Sequence, residues 1–483
     1  MKIDRLLAGV PVISSTVPGT LEISGISIDS RQCRAGDLFF VRKGFREDGM
    51  QYVPEALSRG AVALVAETAI PDVPVIVVKD IREALAILAR RYYGSPDRDM
   101  QVLGITGTNG KTTTAHMIRA LLSAHGRCGL IGTVETDNGA LARPATLTTP
   151  EAHDLYRILR EMLDHSCQFA VMEVSAHGLS LKRTAGLAFN AAVFTNLSVD
   201  HLDFYGDMNS YLSAKLELFA GLAPHATAVI NADDAVAGQV AAVCECPVVT
   251  FGSSPENRVQ LIETVTDGSG QRVSLRIAGD RQDVWIPLAG RYNAWNTAAA
   301  VAAVHAVGLD PSAGFDALSV LKPVPGRLER IESTDQVNYF VDFAHTPDGL
   351  ERVLESLKMD TQGNLICVFG CGGDRDRTKR PLMVDAVCRH ADIIIATSDN
   401  PRTEDPARIF SDMRTGDTHG REIHWIDDRT TAIGTAVGMA RPGDTVLVAG
   451  KGHETYQLIG TERIPFSDGE KIRDAIRERD HAN

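Results

Sequence analysis

The sequence predicts an α/β protein of three domains. A smaller N-terminal α/β domain spans 1–96, a central parallel-sheet P-loop domain 97–325, and a C-terminal Rossmann-like domain 326–483. Three observations predict this. A chain of 483 residues holds about three domains at roughly 100–200 residues each. Short apolar runs alternate with helix-spaced segments, the rhythm of parallel strands joined by crossover helices. Two turn-rich breaks, GSPDRDM (94–100) and KPVPGR (322–327), interrupt that rhythm.

In the first domain, AVALVAE (61–67) and VPVIVVKD (73–80) are apolar runs of strand length. IREALAILARRYYG (81–94) has apolar residues at helical spacing and stops at Gly94. In the second, VLGIT leads into a helix over 111–125, CGLIGT into one over 151–165, and FAVMEV (169–174) into a loop. AAVFTNL and ATAVINAD follow, and RYNAWNTAAAVAAVHAVG (291–308) reads as one alanine-rich helix ended by Gly308. In the third, NYFVDFAH, NLICVFGCGG, DIIIATSDN and DTVLVAGKG are four strands that end in polar or glycine residues. Open α/β sheets bind ligands at the carboxyl ends of their strands, so these four ends are expected to line one crevice.

Composition excludes several classes. The net charge of -13 opposes general nucleic-acid binding, which needs a basic surface. No segment approaches the ~18 consecutive apolar residues that cross a bilayer. MKIDRLLAGVPVIS carries Asp4 and no small-residue cleavage site, so no signal peptide is expected. Eight cysteines are scattered without a CxxC pair, which indicates neither a zinc site nor a disulfide framework. A cytoplasmic location follows from these absences. A monomer is expected.

The stretch Thr106-Gly107-Thr108-Asn109-Gly110-Lys111-Thr112-Thr113 carries the first chemistry. The strict G-x-x-x-x-G-K-[ST] pattern fails, because Ile105 stands where its first glycine belongs. The physics holds nonetheless. Glycines let backbone amides approach phosphate oxygens, and the helix N-terminus favours an anion. Lys111 can reach the outer phosphates, and the Thr112 hydroxyl can hold magnesium. Glu173 ends FAVMEV and His201 lies in NLSVDHLDFYG, after the next strand. Beside a phosphate loop, a carboxylate and an imidazole at strand ends make a candidate metal site.

Longer blocks carry a resemblance. TGTNGKTTT, MEVSAHGL, TNLSVDHLDFYGDMNSYLSAKLELF, GRYNAWNTAAA, PGRLE, DFAHTPDGL and GCGGDRDRTKRP resemble the Mur ligases, in order and along nearly the whole chain. SDNPR and GKGHE resemble the diaminopimelate-adding branch. The resemblance implies peptidoglycan precursor synthesis. ATP and Mg²⁺ would activate the D-glutamate side-chain carboxylate of UDP-N-acetylmuramoyl-L-alanyl-D-glutamate as an acyl phosphate, which an amino acid's amine then attacks. By this resemblance Gly107–Thr113, Asn293, Arg327 and Asp342 contact ATP. Thr112, Glu173 and His201 are metal ligands, together with Lys215 once CO₂ has carbamylated it. Ser30, Arg31, Thr148, Thr149, Pro150, Ser175 and Arg183 contact the UDP-substrate. The family's pattern is departed from at Val199, Phe343 and Arg377-Thr378, where arginine, tyrosine and Lys-Gly are frequent.

The choice of amino acid has a chemical argument. Meso-diaminopimelate is lysine with a second carboxylate at the far end. A site choosing it should offer a bidentate cation. Arg402 in Asp399-Asn400-Pro401-Arg402 resembles that cation, with Arg375 as a further carboxylate ligand. Glu454, in the motif that begins at Gly450, resembles the acceptor for the distal ammonium. L-lysine is the alternative substrate, and a folate-type ligase or a non-catalytic relative are the remaining ones.

Overall fold

The computed structural model describes residues 1–44, 48–266 and 270–482. Among the described residues, three large sheets carry the chain, with a two-stranded hairpin, Tyr456–Ile459 and Glu462–Pro465, beside the last. The N-terminal sheet orders its strands Val12–Ser15, Val75–Val78, Ala63–Ala66, Asp37–Phe40, Gly25–Ser27. Only its first pair is antiparallel. The helix Ile81–Tyr92 follows, capped by Asp80, whose side chain accepts from the amides of Arg82 and Glu83.

The central sheet has eleven strands. Its core is parallel: Thr227–Asn231, Ala191–Phe194, Gln101–Thr106, Phe169–Glu173 and Cys128–Ile131 lie side by side. Those strands are buried almost throughout, as expected of a sheet covered on both faces. The helix Lys111–Leu122 packs against the alanine-rich helix Tyr292–Ala306 on one face. The alanines bring that helix close to the strands beneath it.

Both flanks of this sheet differ from the plain βαβ reading. Val259–Thr266, Gln271–Ile277 and Asp280–Ile286 form an antiparallel meander at one edge. Glu135–Asp137 and Ala142–Pro144 form a second antiparallel extension, between the expected strand and the helix Ala152–Asp164. FAVMEV leads into a short helix, Ala176–Ser180, rather than a plain loop. The expected helices over 111–125 and 291–308 run Lys111–Leu122 and Tyr292–Ala306.

The C-terminal sheet pairs Glu329–Ile331, Asn338–Asp342, Thr445–Ala449, Leu365–Cys371, Ile393–Ser398 and Ile423–Trp425 in that order. All but the first pair are parallel. The four expected strands are therefore adjacent, and their carboxyl ends share one edge.

Candidate active site

A cavity of about 800 Å³ lies between the central and C-terminal sheets. It is lined from one side by the phosphate loop and from the other by the strand ends of the C-terminal sheet.

The loop's shape depends on two glycines. Gly107 (φ +147) and Gly110 (φ +84) adopt backbone conformations that disfavour other side chains. A Cβ on Gly107 would stand 1.9 Å from Thr195 Oγ1, and one on Gly110 2.4 Å from Asn296 Oδ1. Lys111 Nζ donates to the carbonyl oxygens of Gly107 (2.9 Å) and Thr108 (2.8 Å). The Asn109 amide donates to Asn196 Oδ1 at 2.9 Å, and its side chain donates to Asp348 Oδ2 at 2.8 Å. That second bond ties the loop to the C-terminal domain.

Glu173 is 1% exposed at its strand end. Its carboxylate accepts from Thr112 Oγ1 (3.0 Å), Thr133 Oγ1 (3.0 Å) and the Thr133 amide (2.7 Å). Among the described residues, no cation pairs with it. A buried carboxylate held by hydroxyls and an amide, beside a phosphate loop, is a donor set that fits magnesium. Arg327 Nη2 donates to the same Thr112 hydroxyl at 3.1 Å, and its guanidinium stacks on Phe343 at 4.6 Å. Burial pushes the Arg327 pKa down, against Asp342 and Glu173, which raise it.

His201 has φ +56, a left-handed conformation that costs roughly 1–3 kcal/mol for a non-glycine residue. The Asp200 carboxylate accepts from the His201 amide at 2.9 Å and lies 3.3 Å from its Nε2. His345 (4.0 Å) and Lys379 (3.7 Å) approach the same carboxylate from the C-terminal domain. Although its burial opposes the charge, these neighbours hold the Asp200 pKa at about 2, led by His345. Burial lowers the His201 pKa to about 3, which leaves a neutral imidazole able to ligate a metal.

Lys215 is 1% exposed on the helix Met208–Ala220. Its Nζ lies over the Tyr211 ring at 4.3 Å, and no carboxylate pairs with it among the described residues. Burial and then the charge of Lys111 push its pKa well down.

Asn293 and Asp342 also line the cavity. Asn293 donates to the Ala289 carbonyl at 2.6 Å. Asp342 accepts from the amides of Leu328 (2.6 Å) and Ala344 (2.7 Å). Burial raises its pKa, against Arg327.

The amino-acid end is assembled from three loops. Asp399, Asn400 and Arg402 follow Ile393–Ser398, Gly450 and Glu454 follow Thr445–Ala449, and Arg375 follows Leu365–Cys371; all six residues line the cavity. Pro401 is buried beside them, and its carbonyl lies against Gly373. Arg380, fully buried, braces this end. It bonds Glu404 at 2.6 Å, Asp412 at 2.8 Å and the Gly372 carbonyl at 3.2 Å. Arg429 does the same behind two strands, donating to the carbonyls of Ser398 (3.4 Å) and Ala449 (2.9 Å) from a buried pair with Asp468.

Arg402 has φ +52, fixed by bonds between its backbone and Leu458 and Gly460. Its guanidinium meets only carbonyl oxygens, of Gly373 (2.7 Å) and Asn400 (3.5 Å). Asp405 caps the next helix instead of pairing with it. Burial lowers the Arg402 pKa, and neighbouring Arg375 lowers it further. Two guanidiniums side by side, neither with a carboxylate bonded to it among the described residues, can pair with an incoming anion.

The residues expected at the UDP-substrate divide. Thr148 and Ser175 line the cavity. Thr149 is buried behind them, its hydroxyl donating to the Glu173 carbonyl at 2.9 Å. Arg183 donates to the Thr149 carbonyl (3.0 Å) and pairs with Glu151 (3.0 Å), which also takes Arg42 of the N-terminal domain. Ser30 and Arg31 are not brought to the cavity. Ser30 donates to Glu55 at 2.6 Å, and Arg31 points to solvent beside Asp29. Sequence reasoning missed Thr133, Asp200, His345, Lys379 and Lys451. All five sat inside quoted stretches, but only the fold brings them to one site.

Family models match along the chain: "Mur ligase family, catalytic domain" over 22–93, "Mur ligase middle domain" over 105–304 and "Mur ligase, glutamate ligase domain" over 326–452. Two curated relatives, from Geobacillus thermodenitrificans and Gloeobacter violaceus, are named UDP-N-acetylmuramoyl-L-alanyl-D-glutamate–2,6-diaminopimelate ligase. The first is 42% identical over 99% of this chain and 100% of its own length, the second 43% over 99% of both. A solved structure of a ligase of that name is 34% identical, covers 100% of this chain and 99% of its own, and superposes with a TM-score of 0.70. MurF from Thermotoga maritima, solved with ADP, shares the fold at 19% identity and a TM-score of 0.67, over 96% of this chain and 99% of its own.

Proposed function

This chain belongs to the Mur ligase family, and from that premise we propose that it joins meso-2,6-diaminopimelate to UDP-N-acetylmuramoyl-L-alanyl-D-glutamate, with ATP as the energy source. The carrying observation is one cavity with a phosphate loop at one end and the unpaired Arg402 and Arg375 at the other. In this reading 1–96 holds the uridine nucleotide, 97–325 the ATP and 326–483 the amino acid. Ser30 and Arg31 belong to the uridine end, apart from the cavity.

Lys111, the loop amides and Arg327 hold the triphosphate, Asn293 the base side and Asp342 the ribose. Magnesium, at Thr112, Glu173 and His201, would supply charge neutralisation to the phosphates. We propose that Lys215 is carbamylated. Burial, and then the charge of Lys111, favour the neutral amine, whose nitrogen lone pair can attack CO₂. The D-glutamate carboxylate then attacks the γ-phosphorus, ADP leaves, and an acyl phosphate forms. Thr148, Ser175 and Arg183 orient that carboxylate. The amine of diaminopimelate attacks the carbonyl, and phosphate departs as the amide forms. Positioning and charge neutralisation are the protein's share.

Arg402 and Arg375 take the distal carboxylate, and Glu454 the distal ammonium, beside Asp399 and Asn400. L-lysine would leave the half-buried Arg402 guanidinium, and the exposed Arg375 beside it, without an anion, which disfavours it. The enzyme is proposed to act as a cytoplasmic monomer. Among the described residues, no helix is long and apolar enough to cross a membrane. Substrate labelled with ¹⁸O in the D-glutamate side-chain carboxylate tests the route. One label should appear in released phosphate; unlabelled phosphate would exclude the acyl phosphate.

A further inference from the structure

We propose that Lys451 is a positioning residue that sets the selectivity of the amino-acid pocket, by fixing Asn400 and Glu454 and offsetting the charge of the pocket's two carboxylates. This deepens the ligase reading and rests on it.

Lys451 follows the strand Thr445–Ala449 and is fully buried. Its Nζ donates to Asn400 Oδ1 at 3.0 Å and to Glu454 Oε2 at 2.9 Å, and stands 3.8 Å from Asp399 Oδ1. Asn400 Nδ2 donates to the same Glu454 Oε2 at 2.8 Å. The Leu458 amide also donates to Asn400 Oδ1 at 2.8 Å. Three side chains thus close a triangle, with Lys451 at the corner that faces away from the cavity. Asn400, Glu454 and Asp399 line the cavity, whereas Lys451 does not.

Two consequences follow. The first is geometric. Both side-chain bonds to Glu454 fall on Oε2, so the carboxylate is turned with Oε1 toward an incoming donor. A three-donor ammonium of fixed position holds that orientation better than a mobile water would. The second is electrostatic. Arg375, Arg402 and Lys451 bring positive charge to Asp399 and Glu454, with Asp374 also acting on Arg402 and Arg429 on the two carboxylates. Without Lys451, those carboxylates would act on Arg402 with one close cation fewer. The pocket would then hold a distal carboxylate less firmly and a lone distal ammonium more firmly. Selection of a diamino dicarboxylate over L-lysine therefore depends on a lysine that touches neither.

The test compares wild type with Lys451→Met and Lys451→Gln. KM and kcat are measured for meso-diaminopimelate and for L-lysine, with ATP and the uridine nucleotide saturating. Loss of an ion buried among partners commonly weakens binding by about 30-fold or more. Lys451→Met should raise KM for diaminopimelate by about that factor, leave KM for ATP within about twofold, and cut the diaminopimelate-to-lysine ratio of kcat/KM at least about tenfold. Lys451→Gln keeps a donor without the charge. It should raise KM less but still lower the ratio, and it remains informative should the methionine variant fold poorly. A ratio unchanged in Lys451→Gln overturns the proposal, as does an equal loss of kcat with both amino acids. Wild type that ligates neither amino acid would instead refute the ligase reading, and this proposal would fall with it.

Discussion

At the phosphate end of the cavity, Glu173 commits its carboxylate to two threonine hydroxyls and an amide, and Lys111 folds onto two carbonyls of its own loop. At the amino-acid end, Arg402 meets only carbonyl oxygens, and Arg375 has the carbonyl of Asp374. One end is preassembled around polar groups that satisfy one another. The other end keeps cations whose natural partner is a carboxylate from outside. On the proposed reading, this difference places selectivity at the amino-acid end. A nucleotide common to many enzymes can be gripped by a rigid, self-bonded loop, whereas one amino acid among close analogues would be chosen by cations that lack a bonded carboxylate until it arrives.

Substitutions at the two ends should therefore differ in kind. The largest effect is expected at the phosphate end. Lys111→Ala should lower kcat by roughly 10³-fold or more with either amino acid, because charge on the transferring phosphoryl group loses its fixed cation. A steady-state phosphate-release assay reads this directly. Next comes Lys215→Ala, with an expected loss of roughly 10²–10³-fold. Bicarbonate should not restore it, whereas wild type stripped of CO₂ should recover. Full activity in Lys215→Ala would remove the carbamate from the account.

Arg402→Ala should act on one substrate only. Its kcat/KM for diaminopimelate should fall about 10²-fold. Its value with L-lysine should fall far less, or rise. An equal drop with both would mean that Arg402 holds the loop rather than the ligand. The smallest effect concerns stability. His116, buried on the phosphate-loop helix, has its pKa lowered to about 3, by burial and then by Arg119. The unfolded chain protonates this residue near pH 6.5, so it binds more protons than the folded one between about pH 3 and 6.5. Stability should fall as pH drops through that window, by roughly 1–2 kcal/mol from this residue at pH 5. Denaturant melts of wild type and His116→Gln at pH 7 and 5 should show a shallower decline in the variant.

The contrast between the ends also explains what the sequence disclosed. The phosphate loop is local, with its glycines, lysine and threonines adjacent in the chain, and its strand and helix flank it as expected. The four strands of the C-terminal sheet were legible because each is an apolar run ending in glycine or polar residues. The Asp200 cluster was not, because His345 and Lys379 reach it from a different domain. Lys451 stood in a quoted motif, but nothing local distinguishes a buried lysine from a solvated one. The antiparallel strands Val259–Thr266, Gln271–Ile277 and Asp280–Ile286 mix polar with apolar positions, unlike the continuous apolar runs of the parallel strands, so they lack the βαβ signature. Ser30 and Arg31 had only the resemblance behind them, and they stand apart from the cavity.

Adding ATP analogue and both substrates should contract the molecule in small-angle scattering. Asn109, Asp200 and Arg327 already link groups from the two domains that must converge. An unchanged profile would argue for a preformed crevice.

The most direct measurement is ATP-dependent phosphate release with UDP-N-acetylmuramoyl-L-alanyl-D-glutamate, comparing meso-diaminopimelate with L-lysine. Release that requires diaminopimelate is the predicted result. Release that favours lysine would contradict the role given to the unpaired Arg402 and Arg375.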